Sequence, residues 1–221
     1  MAVTLYRWPR SRARHERLTY GIGVLAVATT GAIAAGELAR VWRRGSAPLP
    51  ADTDDVIGAA EVAARESVEI AVAGYKATPR RETALLNLLG SFVLSFALVR
   101  LSTYTIRARG TFGPFRDLRL GRRHVHHFVP GIALAFMAGG VSVVTRNEDL
   151  DRWLALPFGA GLALTLDESA LLLELEDVYW TEDGLVSVQI TMAAIALLGA
   201  LELTRRVLRR GEARVLPAST S

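Results

Sequence analysis

Apolar residues along this chain gather into long runs, and charged residues crowd the segments between them. The first run extends from Leu18 to Gly36, behind an Arg-rich start of Arg7, Arg10, Arg12, Arg14 and Arg17. Others cover Thr83 to Ile106, Phe128 to Thr145, Trp153 to about Leu175, and Val186 to Leu203. Runs of this length match the ~20 residues that a helix needs to cross a hydrocarbon core of ~30 Å. The pattern predicts an all-α fold, a polytopic membrane helical bundle of about five hydrophobic segments. The fourth is irregular, because Pro157, Gly159, Gly161, Asp167 and Glu168 interrupt it. Five spans with the N-terminus inside are expected, and a broken or re-entrant fourth helix, which membranes tolerate where protein buries it, is the alternative.

Four regions follow from this pattern. Residues 1–36 form the basic N-terminus and first span; 37–82 an extramembrane segment; 83–210 a four-segment membrane core; 211–221 a polar tail. The first run also has the layout of a signal peptide, with Ala-Ile-Ala before Ala35 as a cleavage site. An uncleaved span is favoured, since Ala28, Ala32 and Gly36 form a small-residue stripe suited to helix packing. Within 37–82, Ser46 to Pro50 reads as linker, and Asp52 to Asp55 as helix-capping acids. Ile57, Ala60, Ala64, Val68, Ala71 and Tyr75 then recur at helical steps opposite Glu61, Arg65 and Glu69. That predicts an amphipathic helix lying on the membrane or packed against the bundle.

Composition agrees with a membrane protein: 51% of residues are hydrophobic, and mean hydropathy is +0.27 although 22% are charged. The net charge of +4 and pI near 9.9 do not indicate nucleic acid as a partner. The basic residues flank hydrophobic runs, where topology accounts for them. Lys76 is the only lysine, and no cysteine is present, which excludes disulfide, thiolate and Cys-type metal chemistry.

Basic flanks also suggest an orientation. An Arg-rich loop holding Arg107, Arg109, Arg116, Arg119, Arg122 and Arg123 follows the second span. The positive-inside rule puts this loop and the N-terminus in the cytoplasm of a cell-membrane protein. Five crossings then leave Arg205, Arg206, Arg209 and Arg210 outside, against the same rule. A fourth segment that failed to cross would remove the conflict.

One polar cluster stands out. His124, His126 and His127 precede the third span, and Asp167 and Glu168 break the fourth run, with Glu174 and Asp177 beyond. Asp167 lies about 21 Å past Trp153 at 1.5 Å per residue, in the half of the core near the histidines. At 100° per residue, Glu174 falls about 20° and Asp177 about 80° from Asp167, on one face. A charged carboxylate at helix centre costs about 2.5–3.5 kcal/mol on insertion scales, so these acids need partners. Histidine, an arginine such as Arg100, Arg122 or Arg123, or a divalent metal would serve.

Three readings remain open. The first is a structural network that fixes helix register. The second is a zinc or non-haem iron site in a membrane enzyme acting on a lipid-type substrate, with a metal-activated water. The third is a transport or proton path. Multi-box desaturase chemistry is excluded, because the only other histidine is His15. No Gly-x-Ser-x-Gly, P-loop or dinucleotide fingerprint appears, and Gly159 and Gly161 read as packing glycines. Tyr179 and Trp180 suit an interfacial aromatic belt or, with Arg122 and Arg123, contact to anionic lipid headgroups.

From Arg122 to Ile190 the chain resembles a group of small multi-pass membrane proteins of actinobacteria. The resemblance rests on His124-Val125-His126-His127-Phe128 before one span and on Leu-Thr-Leu-Asp167-Glu168 through Asp177-Val178-Tyr179-Trp180 in the next. It covers about a third of the chain. The group is described as conserved integral membrane proteins, so the resemblance implies a membrane location and the same residues of interest, and no reaction.

Overall fold

The computed structural model of the chain describes residues 10–109, 119–120, 123–124, 127–167 and 182–216. Six helices account for nearly all of them: α1 (Arg10–Arg44), α2 (Val56–Ala77), α3 (Arg80–Arg109), α4 (Phe128–Thr145), α5 (Glu148–Asp167) and α6 (Glu182–Val215). Between α3 and α4, Arg119–Leu120 pairs antiparallel with Arg123–His124 in a two-residue ladder. Four helical segments are long and apolar enough to cross a membrane: Gly23–Arg44, Arg80–Ser102, Phe128–Thr145 and Val188–Val215. The protein is an all-α membrane bundle. α5 falls outside that group of four because Glu148, Asp149, Asp151 and Arg152 open it and Asp167 ends it. Its uncharged stretch runs only from Trp153 to Leu166.

Contacts between helices fix their directions. Gly23 faces Ile190, and Glu37 pairs with Arg205, so α1 and α6 run parallel. Arg210 pairs with Glu82 while Gln189 bonds Arg100, so α6 runs antiparallel to α3. Asn87 donates to the Arg152 carbonyl at 2.7 Å, and Arg100 pairs with Asp167, so α5 is parallel to α3. α4 reverses into α5 through Arg146, whose φ of 47° is the left-handed geometry of a helix C-cap. Among the described residues the main packing order is therefore α4–α5–α3–α6–α1, an open file with α2 laid against the C-terminal part of α6. Around Phe92 and Phe96 of α3, Ala163 of α5 and Ala196 of α6 close the buried core.

Glycine sets the closest approaches. A Cβ on Gly161 would strike the Gly131 carbonyl and Ala135 of α4; one on Gly159 would strike the Leu88 carbonyl and Ser91 of α3. These two residues are packing glycines, and they seat α5 between its neighbours. That support holds the described part of the fourth segment, Glu148–Asp167, unbroken; its continuation from Glu168 lies outside the described residues. α5 is one continuous helix through Pro157, whose missing N–H removes a single backbone bond. Before it, Asn147 Oδ1 accepts from the Asp149 N–H at 2.9 Å, and Glu148, Asp149 and Asp151 occupy the first turn of α5, where the helix dipole favours them.

α2 starts as expected at a capping Asp55, which accepts from the Gly58 N–H at 2.9 Å. Its buried face differs from the expected one. Ala59, Ala63, Ile70 and Gly74 are buried, whereas Ile57 is 85% and Val68 63% exposed. The two faces differ by about 100°. Gly74 meets the Val207 carbonyl, and Gly211 meets the Ile70 carbonyl, so backbone proximity to α6 has selected the small-residue face over the most hydrophobic one. α2 thus packs on the bundle as a connector and runs straight into α3 at Thr78 and Pro79. The stripe Ala28, Ala32 and Gly36 of α1 is exposed, since α1 turns Gly23, Ala26, Glu37 and Val41 inward instead.

Candidate functional site

The site forms where α3, α5 and α6 meet at the end of the file that also carries the start of α4. Asp167 is the last residue of α5, and its side chain is only 6% exposed. Arg100, on the face of α3 below Phe96, brings Nε to 2.6 Å from Asp167 Oδ1. That contact lies off the hydrogen-bond line, so it is an ion pair held by charge rather than by alignment. The same guanidinium sits 5.4 Å over the Phe96 ring and donates through Nη2 to Gln189 Oε1. Gln189, buried on α6, donates through Nε2 to the carbonyls of Leu166 at 2.7 Å and Asp167 at 3.0 Å. Gln189 thus bonds the last two described carbonyls of α5 from a neighbouring helix.

His127 joins from the fourth helix. It occupies the N-cap position of α4 and places Nε2 3.7 Å from Asp167 Oδ2, with the ring partly exposed. The two carboxylate oxygens thus face different groups, one a guanidinium and one an imidazole. Charge attraction, a cation–π contact and amide hydrogen bonds converge here, and the arrangement ties α3, α5 and α6 at one depth with the start of α4 beside them.

Of the residues singled out in the sequence, His127 and Asp167 are brought together, and Arg100 pairs with Asp167. His124 and Arg123 lie in the two-residue ladder, known here by backbone alone. His126, Glu168, Glu174, Asp177, Arg122, Tyr179 and Trp180 lie outside the described residues. Among the described residues, no three of His, Asp and Glu assemble as metal ligands. Gln189 is a member that sequence reasoning missed. Its signal is one amide placed just inside an otherwise apolar run, level with Arg100.

The C-terminal arginines prove to be partners of acids. Arg205 and Arg209 reach Glu37, Arg206 reaches Glu202, and Arg210 takes both oxygens of Glu82 at 2.7 and 3.1 Å. Comparison with protein families, curated proteins and solved structures finds no match to the chain. The resemblance between Arg122 and Ile190 therefore stands on its sequence pattern alone.

Proposed function

We propose that the Arg100–Asp167–Gln189 cluster, with His127 beside it, is an organising polar lock of an integral membrane protein. The observation that carries this reading is the 2.6 Å contact between Arg100 Nε and Asp167 Oδ1. A carboxylate buried at a helix end needs a counter-charge, and Arg100 supplies it from a neighbouring helix. The same guanidinium opposes a divalent cation on Asp167, which ranks a structural role above a metal-dependent enzyme acting on lipid. The enzyme remains the second reading because imidazole and carboxylate adjoin at Asp167 Oδ2, a donor pair suited to zinc or non-haem iron. A transport path ranks third.

Localisation in the cell membrane, with the N-terminus and the 107–123 segment cytoplasmic and facing anionic headgroups, completes the reading. What supports it is that arginines at the opposite end are engaged with carboxylates, which weakens the charge argument against five crossings. Detergent-purified protein tests the lock by comparing Arg100→Gln, Asp167→Asn and the double variant. The expected outcome is two destabilised single variants, a double variant less destabilised than their sum, and no stoichiometric metal. Stoichiometric zinc or iron that is lost in His127→Ala or Asp167→Asn would instead establish the metal reading.

A further inference from the structure

At the other end of the file, α1 and α6 meet through charge. Glu37, Arg40 and Arg44 recur at three- and four-residue steps on α1, as Arg205, Arg209 and Glu212 do on α6. Both glutamates are buried. Glu37 Oε1 accepts from Arg205 Nε at 3.1 Å and lies 3.5 Å from Arg209 Nη2, while Oε2 accepts from Arg40 Nε at 3.0 Å. Glu212 receives Arg40 on Oε1 and Arg44 Nη1, at 3.0 Å, on Oε2. Four guanidiniums thus share two carboxylates, and four minus two leaves an excess of two positive charges. Counting Glu202, which Arg205 and Arg206 share, gives five guanidiniums on three carboxylates and keeps the excess at two. Glu82 is taken by Arg210, and Glu66 bonds the Ser46 N–H and hydroxyl. Glu37 lies about 21 Å along α1 from Gly23, near the boundary of a ~30 Å core.

We propose that this seam binds a phosphate-class oxyanion, drawn to the outward guanidinium edges of Arg44 (41% exposed) and Arg209 (54% exposed). Guanidinium groups bind phosphate through charge-assisted hydrogen bonds, and basic pockets between membrane helices suit lipid headgroups. Two sources share that chemistry, an anionic phospholipid and free phosphate. The test uses full-length protein in phosphatidylcholine nanodiscs, with phosphatidylglycerol added in one arm and inorganic phosphate titrated in the other. Thermal stability and lipid retained in native mass spectrometry are the readouts. Stabilisation by either anion is expected, and the responding arm identifies the source. Arg44→Gln/Arg209→Gln should weaken it on the order of tenfold, whereas Arg65→Gln on α2 should not. Arg209→Gln alone leaves Arg40, Arg44 and Arg205 in their pairs and should show part of the loss if the double variant does not assemble. No response to either anion, or an unchanged response in the Arg209→Gln protein, overturns the proposal.

Discussion

At Gln189 the amide serves two partners at once, donating to the last two described carbonyls of α5 and accepting from Arg100. Leucine there would keep the bulk and remove every one of those bonds. Leaving a buried polar group unsatisfied costs about 1–3 kcal/mol, and more for a charged group such as Arg100. Gln189→Leu should therefore lower thermal stability in detergent by several degrees, while Met192→Leu, on the exposed side of the same helix, should not. Equal stability of the two variants would remove Gln189 from the lock. Sequence reasoning reached Asp167, His127 and Arg100 because charge inside an apolar run is costly and so conspicuous. A neutral amide carries no such cost signature, and Gln189 passed unnoticed.

Elements were legible where hydrophobic period alone decides them. The spans of α3 and α4 and the Asp55 start of α2 follow from run length and capping chemistry. The facing of α2 does not, because Ile57 and Val68 outrank Ala59 and Ala63 in hydrophobicity yet lie outward. Close approach decided it, and that depends on Gly211 of a helix more than a hundred residues away in the chain. The same dependence gives a contrast between glycines. Gly211→Val would drive a side chain into the Ile70 carbonyl, an overpacking that costs about 1–3 kcal/mol or more. It should expose residues 45–55 to added protease. Gly31→Ala meets nothing within 4 Å and should leave digestion and stability as they were or slightly improved. Digestion of both at the same rate would show that α2 is not held by α6.

For the whole molecule, the proposed five crossings would put the two ends of the chain on opposite sides. Reporter fusions should read the N-terminus as cytoplasmic and the C-terminus as outside. A cytoplasmic C-terminal signal would mean that α5 does not cross, although it runs beside α3 from the level of Asn87 to that of Arg100. The sequence left this open because counting arginines cannot tell a free one from one already bound to glutamate. α5 has one more consequence. Its uncharged stretch from Trp153 to Leu166 spans only about 21 Å, against a hydrocarbon core of ~30 Å. Mismatch of this kind is relieved by thinning of the surrounding lipid. If α5 crosses, the bilayer beside the α4–α5 pair should be thinned, and short-chain lipids should be enriched there over long-chain ones in the lipid that co-purifies; equal retention of both would count against it.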